Sequence, residues 1–169
     1  MKKIAVIILA VLMLAAVFAG CGSRKAAQEE TSQLAQIGNP WSEWTSIEEA
    51  EAAVGFSFGL PATVGGSYTA TEFRTMNNQM IEIVYCDEEF EVCVRKQVGE
   101  GQDISGDYNE YEICNEENIG GAAIISYSTA ETNAVRQVIS YKGYSWSLVA
   151  PNGYWGDSAA DFINGILGE

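Results

Sequence analysis

Residues 80–97, MIEIVYCDEEFEVCVRKQ, alternate apolar and polar side chains on both sides of a short acidic turn. One alternating set is apolar: Ile81, Ile83, Tyr85, Phe90, Val92 and Val94. The other set is mostly polar: Glu82, Cys86, Glu91, Cys93 and Arg95. A period of two is typical of antiparallel strands with one face in a core. We therefore expect a β-hairpin, with strands at 80–86 and 90–97.

The sequence on either side of this hairpin predicts further strands. Segments rich in β-branched and aromatic residues indicate strands at 68–76, 111–114, 122–127, 134–141 and 144–149. Lys142-Gly143 predicts a tight hairpin connection between the last two. Residues 98–109 are rich in Gly, Asp and Ser, so they predict a loop.

A helix is predicted at each end of the strand-rich region. Ser46 with Glu49 three residues later forms a capping box, so a helix should run over 46–54 and end at Gly55. A second helix should begin at Asp157 or Ser158 and carry an apolar stripe to Leu167. This order predicts the α+β class, with a single antiparallel β-sheet of about six to seven strands and an N-terminal and a C-terminal helix packed on one face.

The N-terminus has the layout of a secretory signal peptide. Two lysines precede sixteen uninterrupted apolar residues, 4–19, and Gly20-Cys21 follows them. Such a segment is shorter than the about 20 apolar residues of a membrane-spanning helix. Phe18-Ala19-Gly20-Cys21 resembles the lipobox of bacterial lipoproteins, with Phe18 where an aliphatic residue is usual. The resemblance implies that the Cys21 thiol receives a diacylglycerol and becomes the mature N-terminus.

These features predict three parts of the chain. Residues 1–20 are a lipoprotein signal peptide, 21–38 are a flexible polar tether, and 39–169 are a single α+β domain. The tether has too few apolar side chains to fold alone. The expected location is the outer face of the bacterial cytoplasmic membrane, with the lipid as the membrane contact.

Charge and composition exclude several classes of function. The formal net charge is −14, which disfavours nucleic acid as a partner. The chain has no histidine, so Ser-His-Asp, Cys-His and HExxH catalysis are impossible. We expect a non-catalytic ligand-binding or sensing module without cofactor or metal. The alternatives are an accessory lipoprotein that binds a protein partner through a sheet edge and, with less weight, a carboxylate-based hydrolase.

Three cysteines fall in the domain of a chain bound for an oxidising surface, where a disulfide is permitted. Cys86 and Cys93 share a face of the predicted hairpin, and their pairing depends on its register. Cys93–Cys114 is the competing pair if their strands are neighbours. Three free thiols are the third alternative, because sequence spacing does not determine connectivity.

Two groups of residues are candidates for ligand binding. Asp103, Asp107 and Asn109 place oxygen atoms two or four residues apart, but the spacing is not that of a calcium-binding EF-hand loop, and such residues often cap turns. Tyr154 and Trp155 lie between glycines, and an aromatic pair in a loop is a candidate ligand contact.

The segment from about Trp41 to Leu167 resembles the bacterial DUF4367 family, a domain of unknown function. The most specific part of the resemblance is Asp103-Ile104-Ser105-Gly106-Asp107-Tyr108-Asn109. Glu48-Glu49-Ala50, Gly55-Phe56, Leu60-Pro61, residues 80–83 and 94–96, and the late element Gly143-Tyr144-Ser145-Trp146-Ser147 also fit. The resemblance implies an extracytoplasmic domain and no particular activity. This chain departs from the usual pattern in its three domain cysteines.

Overall fold

The hairpin at 80–97 lies in the middle of a large antiparallel sheet. The computed structural model describes residues 39–129, 135–150 and 159–168. Ile83 stands opposite Val94 and Tyr85 opposite Val92, so both apolar sets point to one face, as the alternation predicts. The side chains of all four are buried.

The described residues form nine strands and two helices. In chain order these are β1 (Trp41–Trp44), α1 (Ile47–Val54), β2 (Thr63–Val64), β3 (Tyr68–Met76), β4 (Met80–Cys86), β5 (Glu91–Val98), β6 (Ile113–Ile119), β7 (Ala122–Ser128), β8 (Arg136–Tyr141), β9 (Tyr144–Val149) and α2 (Ala159–Leu167). The mixed α+β class is therefore correct.

The strand count and the helix placement differ from the expectation. The sheet has nine strands in the order β1-β3-β4-β5-β9-β8-β7-β6, with β2 paired to β3. The sequence predicts six to seven strands. The additional strands, β1 and β2, have four and two residues, too few to show a period of two. Because β1 precedes α1, the domain begins with an edge strand and not with a helix.

The first face of the sheet carries the hydrophobic core. Ala50 from α1 and Phe162 and Ile166 from α2 join the apolar face of the central strands in one cluster. Phe162 contacts the rings of Tyr68 and Tyr85 edge-on, with centroids 5.5 and 5.3 Å away. Burial of such side chains contributes roughly 1.5–3 kcal/mol each, so this face supplies most of the stabilisation.

The first helix begins and ends where its capping signals predict. Ser46 is the N-cap, and its hydroxyl accepts a bond from the Glu49 amide at 3.3 Å. The Glu49 carboxylate accepts from the amide and hydroxyl of Thr45, one residue before the position that a capping box predicts. Gly55 closes the helix at φ +80°, a conformation that glycine adopts without strain.

Two tight turns determine the pairing at the far end of the sheet. Lys142-Gly143 joins β8 to β9 with φ of 48° and 85°, which confirms the predicted hairpin. Gly120-Gly121 joins β6 to β7 in the same way. The predicted strand at 111–114 is only the beginning of β6, because all seven residues of β6 are exposed and show no apolar alternation.

The connection from β5 to β6 crosses the second face of the sheet. Strands β9, β8 and β7 lie between β5 and β6, a separation of about 19 Å at ordinary strand spacing. Residues 99–112, hereafter the strap, cover this distance without regular secondary structure, as the Gly, Asp and Ser content predicts. The strap covers part of the second sheet face and forms one wall of a cavity there.

Candidate functional site

The first part of the strap is held by serine hydroxyls of the sheet. Ser145 of β9 accepts a bond from the Gln102 amide at 3.0 Å and donates to the Gly99 carbonyl at 2.7 Å. Ser140 of β8 accepts from the Gly101 amide at 2.9 Å. These side chains satisfy strap backbone groups that would otherwise lack partners against the sheet.

Arg136 of β8 holds the second part. Its Nη1 donates to the Asp107 carbonyl and lies 3.8 Å from the Asp103 carboxylate. The guanidinium lies over the rings of Tyr127 and Tyr111, with 4.0 and 5.2 Å to the centroids. The residue is 7% exposed, and its Nε is buried without a hydrogen-bond partner. Arg136 therefore couples the strap to the sheet by charge, hydrogen bonding and stacking.

Asp107 organises the end of the strap. Its carboxylate accepts bonds from the Asn109 amide at 3.0 Å, from Asn109 Nδ2 at 2.7 Å and from the Tyr111 hydroxyl. Burial acts to raise the pKa of Asp107, but these bonds and the charge of Arg136 outweigh it and hold the pKa below the usual value. Burial and the neighbouring carboxylate raise the pKa of Tyr111. Asp107 is thus a charged acceptor and Tyr111 a neutral donor at neutral pH.

A second arginine enters the site from β5 next to a buried carboxylate. Arg95 Nε donates to Glu82 at 2.6 Å, and Arg95 Nη1 donates to the Ile104 carbonyl at 2.9 Å. Glu82 is 3% exposed and also pairs with Arg74 at 2.7 Å. The Trp41 ring lies 5.3 Å from the Arg95 guanidinium. Such a buried ionic group positions its members well, while its net stabilisation is small.

The strap and the second face line a partly open cavity of about 310 Å³. Its described lining combines apolar side chains of the sheet with polar groups of the strap: Cys93, Arg95, Ser105, Gly106, Asp107, Asn109, Tyr111, Val135, Val149 and Ala150. This volume is at the small end of ligand sites. A partly apolar cavity on which a small number of polar groups converge is typical of a small-molecule site.

A guanidinium has five N–H groups, and the bonds of Arg95 to Glu82 and Ile104 use two of them. Among the described residues, the other three donors have no acceptor and are available for a ligand. Gly106 has φ +66°, and a Cβ at this position would collide with Arg95 Nη1. The positive φ favours glycine here, and a larger residue would also force the Arg95 guanidinium to shift.

Cys86, Cys93 and Cys114 are free thiols, which is the third of the alternatives that the sequence leaves open. The register places Glu91 opposite Cys86 and Val84 opposite Cys93. Cys86 and Cys93 are therefore diagonal neighbours, about 7–8 Å apart, beyond the usual 4.4–6.8 Å between bridged Cα atoms. Cys114 lies on β6, four strand positions from β5, so the competing Cys93–Cys114 pair is also not formed.

The structure brings Asp107 and Asn109 together at the cavity and places Asp103 beside Arg136. Two of them also cap turns: Asp103 accepts from the Ser105 amide, and Asp107 from the Asn109 amide. Among the described residues no group of three acidic or cysteine side chains has a metal-binding arrangement. Cys21, Tyr154 and Trp155 lie outside the described residues.

Sequence reasoning did not select Arg95 or Arg136 as site residues. A weak signal was present, because no other lysine or arginine follows Lys96 before Arg136, while eight carboxylates lie between them. Arg136 follows this acidic stretch, so one of its carboxylates is an expected ion-pair partner. Which carboxylate it meets depends on the path of the strap, and spacing along the chain does not reveal this path.

Comparison with known proteins assigns no family to the chain. No family model matches it, and neither a curated protein nor a solved structure is similar to it. The resemblance to the DUF4367 family stays a prediction. Within 39–129, 135–150 and 159–168, no helix has the length and apolar character needed to cross a membrane. The function therefore has to be argued from the site.

Proposed function

We propose that this chain is a lipid-anchored, non-catalytic binding module on the outer face of the bacterial cytoplasmic membrane. Its ligand site is the cavity between the strap and the second sheet face. The observation that carries the binding proposal is Arg95, which lines this cavity and has three N–H donors without an acceptor in the described part of the chain. The anchoring part rests on the signal sequence and on Cys21.

The chemistry of the lining favours a small organic carboxylate as ligand. A planar guanidinium binds a carboxylate through two parallel hydrogen bonds, and such charge-assisted bonds are stronger than neutral ones. Val135, Val149 and Ala150 offer contact for a short apolar group. A volume of about 310 Å³ limits the ligand to roughly the size of ten water molecules.

The same groups are poorly suited to catalysis. The Asp107 carboxylate is occupied by donors and has a lowered pKa, so it is a weak base. Burial, with a contribution from Glu82, raises the pKa of the Cys93 thiol to about 12, so a thiolate nucleophile is scarce at neutral pH. Binding without turnover is the role that these properties favour.

Thermal unfolding of the purified full chain in detergent tests the ligand class. Acetate, propionate and glutamate are titrated at constant ionic strength, each against its neutral amide. We expect a saturable rise in melting temperature with at least one carboxylate and none with its amide. Arg95→Lys keeps the charge but loses the planar fork, so it should weaken the effect at least tenfold.

Two results would contradict the binding proposal. One is an equal response to carboxylates and amides, and the other is a response of Arg95→Lys equal to that of the parent. Turnover of any substrate that a single carboxylate substitution abolishes would show an enzyme instead. None of these three outcomes bears on the anchoring part of the proposal.

Metabolic labelling with a radioactive fatty acid tests the anchor separately. The parent chain should carry the label and sediment with membranes. Cys21→Ser should lose both properties, because the acylated thiol is absent. Phe18→Leu restores the usual first lipobox residue and should keep or increase the label. Persistent labelling of Cys21→Ser would refute the proposed anchor.

A further inference from the structure

Strand β6 is an exposed edge of the sheet. It is the last strand in the order, and among the described residues it pairs only with β7, over its full length from Ile113 to Ile119. All seven of its residues are exposed. An exposed edge of this length is a template for a further strand, and natural sheets usually shorten or cover such edges.

The backbone groups that face outward can be assigned from the register. The two-residue turn at Gly120-Gly121 makes Ile119 and Ala122 a hydrogen-bonded pair, and such pairs alternate along an antiparallel ladder. Asn115 and Glu117 therefore bond to β7. Cys114, Glu116 and Asn118 direct their N–H and C=O groups away from the sheet, which provides three donors and three acceptors for an added strand.

The side chains of β6 combine apolar and acidic character. Ile113 and Ile119 are 37% and 40% exposed and are two of the four large hydrophobic residues that are exposed in the described parts of the chain. Glu116 and Glu117 occupy the centre, one on each face of the strand. No lysine or arginine lies between Lys96 and Arg136, so β6 itself carries no basic side chain.

A second copy of the chain is a poor occupant of this edge. Antiparallel pairing of two β6 strands about their midpoint would place Glu116 of one copy directly opposite Glu116 of the other. Like charges directly opposite each other destabilise a strand pair. The acidic centre therefore disfavours self-pairing, while a strand with positive charges would gain electrostatic energy there.

We propose that β6 is an acceptor edge for an extended, basic segment of another protein, which adds to the sheet as a tenth strand. Backbone bonds to Cys114, Glu116 and Asn118 supply affinity. Lysine or arginine opposite Glu116 on one face, with apolar residues opposite Ile113 and Ile119 on the other face, supplies selectivity. The edge adjoins the strap, since Tyr111 of the cavity lies two residues before β6, but Cys114, Glu116 and Asn118 do not line the cavity.

The probe is the heptapeptide acetyl-Lys-Val-Lys-Val-Lys-Val-Lys-amide, added to the full chain in detergent. Amide hydrogen exchange is followed by NMR. We expect the amides of Cys114, Glu116 and Asn118 to become at least tenfold more protected. The amides of Asn115 and Glu117, which already bond to β7, should change little.

Matched variants separate backbone pairing from charge attraction. Glu116→Ala and Glu116→Pro both remove the carboxylate, but only Pro also removes an outward N–H, which an edge strand tolerates. We expect Glu116→Pro to bind the peptide at least tenfold more weakly than Glu116→Ala. A peptide N-methylated at its three central residues has the same charge and should not protect the edge.

Four outcomes would overturn the proposal. These are no binding of the peptide, equal binding of the N-methylated peptide, equal binding of the peptide with Glu in place of Lys, and protection of the outward amides that rises with protein concentration alone. The last result would show pairing between copies of the chain. A failure here does not affect the carboxylate titration at the strap cavity, because the two experiments use different probes and variants.

Discussion

Replacement of Arg136 by Met should release the end of the strap without unfolding the sheet. The substitution removes the bond to the Asp107 carbonyl and the stacking on Tyr127 and Tyr111. A hydrogen bond from a charged group contributes about 2 kcal/mol, and each ring contact contributes about 1 kcal/mol. The substitution also removes the buried Nε, which has no hydrogen-bond partner, and this offsets the loss of stability by roughly 2 kcal/mol.

The net loss of unfolding free energy is therefore about 2 kcal/mol, or about 8 °C in melting temperature for a domain of this size. Thermal unfolding followed by tryptophan fluorescence measures it. The matched control is Asp103→Asn, which removes only the partly exposed ion pair of 3.8 Å and should cost under about 0.5 kcal/mol.

Amide hydrogen exchange shows which part of the chain loses stability in Arg136→Met. In Arg136→Met the amides of Asp107 and Asn109 should exchange at least tenfold faster, because their strap segment is no longer held. The Gln102 amide, bonded to Ser145 at the other end of the strap, should change little. A melting temperature equal to that of Asp103→Asn, or a loss of stability with unchanged Asp107 exchange, would refute the assigned role of Arg136.

Three further predictions concern single titratable groups. The pKa of Asp107 is lowered in the folded state, so its carboxylate stabilises the fold above the unfolded-state pKa of about 3.9. This stabilisation is lost as the pH falls through the folded-state pKa. Asp107→Asn should thus unfold at a lower temperature than the parent at pH 7, and the difference in melting temperature should shrink as the pH falls to about 2–3. Maleimide at pH 7.5 should label exposed Cys114 much faster than Cys93, whose pKa burial raises to about 12, and equal rates would contradict the structure. Lys96 is 1% exposed and donates to the Ser57 carbonyl at 2.8 Å, so Lys96→Met should cost about 2–3 kcal/mol, because this carbonyl loses its charged donor. A loss under about 1 kcal/mol in urea unfolding would show that the carbonyl finds another partner.

The parts of the fold that could be predicted are those with a local physical cause. Strands β3, β4 and β9 have the predicted ends, because β-branched and aromatic content and the adjoining turn residues are local signals within a single segment. The boundaries of α1 follow from Ser46 and Gly55, which satisfy the helix-end backbone groups themselves. The loop character of the strap follows from its glycines and turn-capping side chains.

The residues of the candidate site could be predicted only in part. Asp107 and Asn109 were selected because their side chains cap loops and offer oxygen ligands, and both line the cavity. Arg95 was seen only as a polar position of the hairpin. Its proximity to Ile104 and Gly106 depends on the strap lying back across β5, which no local pattern encodes.

The sequence by itself determined the class of the domain, the hairpin at 80–97, the caps of α1 and the tight turn at Lys142-Gly143, because each depends on neighbours within a few residues. The predicted start of the second helix at Asp157 or Ser158 lies outside the described residues. The sequence also supplied the N-terminal signal on which the proposed anchor rests. Only the tertiary structure decided that β9 pairs with β5 and that β6 is an edge. These pairings form between residues distant in sequence, where the energy of many contacts outweighs the entropy of closing the loops. From that order follow the path of the strap, the meeting of Arg136 with Asp107, and the separation of the cysteines.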